Sequence, residues 1–260
     1  MTEIFQLLSW VGTEGAEAIT HITCSNDGKL LAMCERFPQG QRGRVTIFEI
    51  ISSRTKQVFP DGIDQQNQFK SNEFICSAFS EKKTEVIVTL CGEPDWLIML
   101  WNHETQRFIK SVPVGLNIPQ TVTPKIFQVS FNPFDPEGNS FLLTGPCNTF
   151  KYIRKDQDNN LTIELTQIHE MDQGRKISNN FTCHAWSQST GHVLVCTDNG
   201  EMIVCENNGQ YKAYVLDSIQ GTGINACIPL SNGFLIAQGP SFSIYRTSHV
   251  DERSPLKLQG

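Results

Sequence analysis

The sequence predicts an all-β protein, a β-propeller of four-stranded antiparallel blades, on the strength of three observations. A strand-and-turn unit recurs about every fifty residues, a period typical of propellers and solenoids. Alternating β-branched and aromatic residues in each unit are bounded by Gly, Asn, Asp or Pro, which are strand and turn signals. The strand order repeats, with a Gly-containing turn after the second strand and Phe, Trp, Tyr or Cys ending the third. The recurring anchors are Cys24–Lys29, Ala78–Ser80, Phe131–Pro133, Ala185–Ser187 and Pro229–Ser231.

The first two blades are expected at residues 19–60 and 73–114. In the first, Leu30–Cys34 and Arg44–Ile50 are alternating apolar strands on either side of a polar loop. In the second, an apolar third strand ends at Trp101. Four such strands in succession build one antiparallel blade.

The third and fourth blades are expected at residues 126–168 and 181–217. The third has an apolar strand at Thr149–Arg154 followed by a polar hairpin tip. In the fourth, Asn199 and Gly200 separate two apolar runs, which is the strongest short-range signal for a hairpin because both residues tolerate positive φ.

The fifth blade is expected at residues 224–247, where three strands are clear and a fourth is not. The propeller is therefore expected to span residues 1–247, with a flexible tail at 248–260. Five blades in an open row would leave two unpaired sheet edges, which natural proteins avoid. Either strands from another segment or chain complete the ring, or residues 5–11 supply a closing strand.

Many short strands would also fit a set of two-sheet sandwiches. The repeated strand order favours blades. A chain of 260 residues with 39% apolar residues is large enough for a propeller core.

Charge and motifs exclude several function classes. The net charge of −6 argues against nucleic-acid binding and against an acidic membrane surface. The nine cysteines lie singly in strand-like runs, without metal or redox spacing, which favours small buried thiols in a reducing compartment. Cys183 and His184 are adjacent, but neighbours on a strand point to opposite faces, so we reject them as a metal site.

No catalytic centre, cofactor site or metal site is predicted. The acidic and histidine side chains that could reach a propeller channel have no shared position in the repeat, so they are not expected to converge. Nucleophile elbows and phosphate loops are absent from the sequence. The side chains considered are Glu35, Glu93, Asp95, Asp198, Glu201 and His192.

Several segments resemble WD-repeat cilia- and flagella-associated proteins, in the region of their first propeller. Trp101-Asn102 stands where a WD-repeat blade carries Trp-Asp, and Glu35 precedes an unusually long loop. The resemblance covers most of residues 19–247. The hydrogen-bond network usual in WD repeats is degenerate here, so blade stability is expected to come mainly from strand pairing and apolar burial. The matching segments are Leu30–Glu35, Val45–Glu49, Ile126–Pro133 and Cys196–Met202.

The resemblance implies a non-enzymatic scaffold in the axoneme of motile cilia that helps place inner dynein arms on doublet microtubules. Its implied partners are inner dynein arm components, other cilia-associated WD-repeat or coiled-coil proteins, and tubulin. Alternatives are a cytosolic WD-repeat adaptor, such as a ubiquitin-ligase substrate receptor or transport component, and a propeller hydrolase with an axial ion. Co-purified partners separate the first two, whereas the third requires converging carboxylates.

A scaffold is expected to contact partners through loops and blade rims, where arginine and aromatic residues are the best anchors. Candidates occur in the loop of the first blade, at the third strand of the second blade and along the third blade. They are Phe37, Arg42, Arg44, Trp96, Lys151, Arg154 and Lys155.

Overall fold

The structure is a computed structural model whose chain divides into two compact units, Met1–Gly115 and Leu116–Gly260. Residues 5–11, proposed as a closing strand, lie outside the part that the structure describes. The described residues are 12–52, 54–59, 69–116, 118–119, 122, 126–165, 171–172, 175–205, 213–218, 222–247 and 258–259.

The first unit contains two four-stranded antiparallel sheets, each with its strands in chain order. Sheet 1 consists of β1 (Ala18–Cys24), β2 (Leu30–Arg36), β3 (Arg44–Glu49) and β4 (Arg54–Phe59). Sheet 2 consists of β5 (Phe74–Phe79), β6 (Val86–Cys91), β7 (Leu97–Asn102) and β8 (Arg107–Pro113).

The second unit contains three further four-stranded antiparallel sheets and one short hairpin. Sheet 3 consists of β9 (Gln128–Phe131), β10 (Ser140–Gly145), β11 (Thr149–Lys155) and β12 (Leu161–Leu165). The separate hairpin consists of β13 (Met171–Asp172) and β14 (Arg175–Lys176). Sheet 4 consists of β15 (Phe181–Trp186), β16 (Val193–Thr197), β17 (Glu201–Cys205) and β18 (Ala213–Ser218). Sheet 5 consists of β19 (Ile224–Leu230), β20 (Gly233–Gln238), β21 (Ser241–Thr247) and β22 (Leu258–Gln259).

The all-β class is confirmed, since the described residues form strands and turns and no helix. Accordingly, none of them belongs to a helix that could span a membrane. Within each unit, consecutive sheets pack face to face through apolar side chains. Ile47 of sheet 1 shares a core with Trp101 of sheet 2, and Tyr152 of sheet 3 shares one with Trp186 of sheet 4. Buried apolar area of this kind stabilises the fold by roughly 25 cal/mol per Å².

Two local expectations differ from the structure. Gly200 has φ 90° in the hairpin between β16 and β17, but Asn199 does not have positive φ. The Gly200 amide donates to the Thr197 carbonyl, so the loop is a longer turn in which only the last residue needs the left-handed conformation. Sheet 5 has a fourth strand, because residues 258–259 in the tail expected to be flexible pair with Arg246 and Thr247.

Candidate protein-contact surfaces

The predicted contact residues of the first unit divide between surface and core. Arg42 is exposed, with its guanidinium carbon 5.5 Å from the centre of the Phe69 ring. The guanidinium carbon of Arg44 lies 4.9 Å from the centre of the Phe37 ring. Phe37 itself is 1% exposed, so it supports Arg44 from below and does not present its own ring to a partner. Stacking on a ring holds each guanidinium in place before a partner binds, which lowers the entropic cost of ordering it in an interface.

Trp96 also lies in the core. It is 6% exposed and has φ 46°, in the left-handed region that a bulky residue seldom adopts. Its amide donates to the Gly92 carbonyl and its carbonyl accepts from the Val114 amide, which fixes the backbone before β7. The buried side chain therefore acts in packing.

The predicted residues of the third blade border a cleft of about 320 Å³ at one end of sheet 3. Arg154 and Lys155 line it, whereas Lys151 lies further along β11 outside it. The Arg154 guanidinium is 3.6 Å from the Glu164 carboxylate, and the Lys155 ammonium donates to Asn159 at 2.8 Å. The complete lining is Asn132, Phe134, Asp135, Glu137, Asn139, Ser140, Tyr152, Arg154 and Lys155.

Asp135 organises the loop that forms one wall of this cleft. Its carboxylate accepts hydrogen bonds from the Glu137 amide at 3.0 Å, the Asn139 amide at 2.9 Å and the Ser140 hydroxyl at 2.6 Å. Partial burial alone would raise the pKa of Asp135, but these hydrogen bonds outweigh it and hold the pKa below its usual value. The loop is therefore preorganised around a charged carboxylate.

The cleft combines both signs of charge with aromatic surface. The Phe134 ring is partly exposed, and Arg154 lies 5.6 Å from the centre of the Tyr152 ring. Asn132 donates to the Tyr152 hydroxyl at 3.1 Å and so holds that ring in place. Such a surface suits a polar peptide segment, because guanidinium and aromatic groups are frequent anchors at protein interfaces.

The carboxylates considered for catalysis are used in separate hydrogen-bond networks. Glu35 is fully buried and accepts from Thr13 at 2.8 Å and from Thr46 at 2.9 Å. Glu201 is likewise buried and accepts from Thr197 and Asn199, within its own hairpin. Each network joins neighbouring strands and loops of one sheet, which is a structural role.

The other three acidic residues and His192 do not form a reactive cluster either. Asp95 accepts from the amide and hydroxyl of Ser71, and Asp198 accepts from Asn180 at 2.9 Å. Glu93 lies in a loop of sheet 2, whereas His192 lies in a loop of sheet 4. Throughout the described residues, no group of three or more His, Cys, Asp and Glu side chains could hold a metal ion.

A hydrogen-bond network centred on His184 joins sheet 3 to sheet 4. The buried ring is bonded through Nε2 to the Ser130 hydroxyl at 2.6 Å and through Nδ1 to the Thr144 hydroxyl at 2.7 Å. Ser130 also accepts from Trp186 Nε1 at 2.9 Å. Burial lowers the pKa of His184 to about 3, so the ring is neutral at pH 7, with one nitrogen donating and the other accepting.

Sequence reasoning missed this network. It had expected blade stability to come mainly from strand pairing and apolar burial, and had considered His184 only beside Cys183 as a metal pair. The Gln128 side chain adds two bonds, donating to the His184 carbonyl at 3.0 Å and accepting from its amide at 2.8 Å. In sheet 2, Trp101 donates to Thr89 at 3.0 Å, so part of the usual Trp and hydroxyl pairing remains. A polar residue at alternate positions of β9 was the available signal.

Comparisons with known proteins place the fold among β-propellers. The Cps50 (Swd1) β-propeller domain of Myceliophthora thermophila superposes with a TM-score of 0.66 at 12% identity, covering 93% of this chain and 70% of that one. A protein of unknown function from Desulfotomaculum acetoxidans superposes with a TM-score of 0.62 at 11% identity, covering 93% of this chain and 69% of that one. The chain is a β-propeller protein, as the sequence predicts.

One curated relative matches the sequence, and no protein-family profile does. It is the cilia- and flagella-associated protein 57 A of Tetrahymena thermophila, 24% identical over 195 residues that make up 73% of this chain. The matched region is 14% of the relative's length, so this chain corresponds to a small part of that protein.

Proposed function

We propose that the chain is a non-enzymatic scaffold of the axoneme in motile cilia or flagella. The observation that carries this proposal is the match over 73% of the chain to a protein named as cilia- and flagella-associated. Two further features agree with it. The propeller fold is suited to protein contacts, and the carboxylates that could serve catalysis are bonded within separate networks.

The proposed role is to help position inner dynein arms on doublet microtubules. Its partners would be inner dynein arm components, other ciliary WD-repeat or coiled-coil proteins, and tubulin. Tubulin is acidic and this chain has a net charge of −6, so contact with it requires a local cluster of positive charge. Arg154 and Lys155 supply two positive groups at the cleft of sheet 3, but its lining also carries the Asp135 and Glu137 carboxylates, so this surface suits a polar protein segment better than acidic tubulin.

Fractionation of motile cells tests the location. Cilia are isolated, extracted with detergent and washed with salt, and peptides of this protein are quantified in the axoneme and in the cell body by mass spectrometry. We expect enrichment in the salt-washed axoneme. Recovery only in soluble complexes of the cell body would contradict the proposal and favour the cytosolic adaptor.

A charge-reversed variant tests the contact surface. Arg154→Glu with Lys155→Glu is expected to release the protein from axonemes at lower salt than the wild type, because the cleft loses both positive groups. The matched control is Lys29→Glu with Arg54→Glu, which changes the net charge equally at exposed positions of sheet 1. Release of both variants at the same salt concentration would show that total charge, not the cleft, governs retention.

A further inference from the structure

Two arginines of the first unit lie on buried aromatic rings. Arg42 ends the loop before β3 and stacks on Phe69, and Arg44 begins β3 and stacks on Phe37. Both rings are buried, with Phe69 3% exposed and Phe37 1%. A ring covers one face of each guanidinium and leaves the N–H donors at its edges available to a partner. We call these four residues the arginine surface.

The backbone beneath the arginine surface is fixed by hydrogen bonds. The Phe37 amide donates to the Asn72 carbonyl at 2.8 Å, and the Asn72 side chain donates back to the Phe37 carbonyl at 2.7 Å. Between the two arginines, the Gly43 amide donates to the Ser71 carbonyl at 3.0 Å. A Cβ at Gly43 would lie 2.6 Å from the backbone of Glu73, so the two segments are in close contact. The loop is held at both ends, and the arginine surface is therefore preorganised.

The acidic side chains beside the arginine surface are bonded to other groups. Glu35 lies opposite Arg44 in the pairing of β2 with β3, but its carboxylate is buried and accepts from the Thr46 hydroxyl at 2.9 Å. The Glu73 carboxylate lies 3.9 Å from the guanidinium of Arg36. These two carboxylates are therefore already occupied by partners other than the stacked arginines.

The positive charges of this region are not neutralised. Across the part of the chain that the structure describes, the side chains of Arg42 and Arg44 form no ion pair and no hydrogen bond. Lys70 follows Phe69 directly, is exposed and has no ion pair among the same residues. The chain as a whole has a net charge of −6, so a local excess of positive charge here is complementary to an acidic partner.

The spacing of the two arginines indicates which acidic group they would take. They stack on different rings, which holds the two guanidiniums at separate positions, so two singly charged carboxylates fit them better than one phosphate group. In an extended peptide, alternate side chains project from the same side about 6–7 Å apart. We propose that the arginine surface binds an extended acidic peptide segment through carboxylates at alternate positions.

This inference rests on the proposed function only in treating the chain as one that binds proteins. It names the chemistry of the segment that is bound and does not require a ciliary location. Peptide binding is measured in solution and axoneme enrichment in cell fractions, so a failure of one is distinguishable from a failure of the other.

Fluorescence anisotropy with the purified chain tests the proposal. The probe is the fluorescein-labelled peptide GESESEG, which has glutamate at alternate positions, and the control peptide GQSQSQG has the same length without charge. At about 0.05 M salt we expect saturable binding of the glutamate peptide that weakens as salt rises to about 0.5 M, and none of the glutamine peptide. Absence of saturable binding up to about 1 mM protein would overturn the proposal. Tighter binding of a peptide with a single phosphoserine in place of the glutamates would also overturn it.

Variants of the chain test whether the arginine surface is the site. Arg42→Gln with Arg44→Gln is expected to raise the dissociation constant at least about tenfold. The matched control, Lys29→Gln with Arg54→Gln, changes the net charge equally at exposed positions of the same sheet and should bind as the wild type does. Arg42→Gln alone changes an exposed loop position and should weaken binding about threefold, which keeps the test valid if the double variant melts early. Equal binding by the wild type and the arginine variants would overturn the proposal.

Discussion

Replacing Ser130 by alanine is the most informative test of the network between sheets 3 and 4. The Ser130 hydroxyl contacts two groups of sheet 4, accepting from Trp186 Nε1 and bonding His184 Nε2. The substitution deletes one oxygen and leaves both nitrogen groups without that partner. Trp186 and His184 are both buried, so water does not replace the hydroxyl freely.

The expected cost follows from those two groups. Leaving one buried polar group unpaired costs about 1–3 kcal/mol. Because Thr144 still holds the other ring nitrogen of His184, we expect the lower part of the summed range, about 2–3 kcal/mol. For a protein of this size, that corresponds to a decrease in Tm of roughly 4–12 °C.

Thermal unfolding followed by circular dichroism measures this change, with Ser52→Ala as the matched control. Ser52 lies exposed in a turn and bonds only locally to Glu49 and Arg54, so its loss should change stability by less than about 0.5 kcal/mol. Combining Ser130→Ala with Trp186→Phe should cost less than the sum of the single changes, because both remove the same bond. A Ser130→Ala protein that melts with the control would refute the reasoning.

Three further predictions concern pH, a buried carboxylate and a close backbone approach. The pKa of His184 is about 3 in the folded protein and about 6.5 unfolded, so stability holds above pH 6.5 and falls towards pH 3, by about 2 kcal/mol at pH 5. Urea unfolding of the wild type and of His184→Asn at pH 7 and pH 5 checks this. If the free energy of unfolding falls equally in the two proteins between these pH values, the result would count against it. Glu35→Ala should destabilise more than Glu35→Gln in the same assay, because glutamine still accepts from Thr46, and the reverse order would contradict the assigned network. Gly145→Ala should lower Tm, since its Cβ would lie 2.3 Å from the Phe127 ring; Phe127→Leu in the same chain should recover part of the loss, and no recovery would exclude this clash as the cause.

The strands could be predicted because their signal is local. Alternating polar and apolar residues such as those of Arg44–Glu49 indicate one strand, and a Gly-containing turn indicates where it ends. Strands separated by short turns pair with their neighbours in the chain, so four-stranded sheets in chain order could be predicted from local sequence. The strand Leu258–Gln259 could not be found in this way. It is two residues long, and it becomes a strand only by pairing with Arg246 and Thr247.

The candidate surfaces were only partly predictable for the same reason. Charged residues such as Arg154 were expected at the surface, but the cleft arises where the loop held by Asp135 meets the end of β11. Phe37 and Trp96 were suitable anchor types, yet packing buries both. The hydrogen bonds of the His184 ring join residues that are 54 and 40 positions apart in the chain, so no local sequence pattern predicts them.

Polar contacts between consecutive sheets complement the apolar cores. The Thr20 hydroxyl of sheet 1 donates to the Phe74 carbonyl of sheet 2, and Gln128 of sheet 3 bonds the backbone of His184 in sheet 4. Apolar burial is non-directional, whereas hydrogen bonds require one alignment, so these contacts determine how each sheet is placed on the next. The cleft of sheet 3 lies outside these contacts. A change such as Arg154→Glu can therefore alter partner binding while leaving the stacking of the sheets intact.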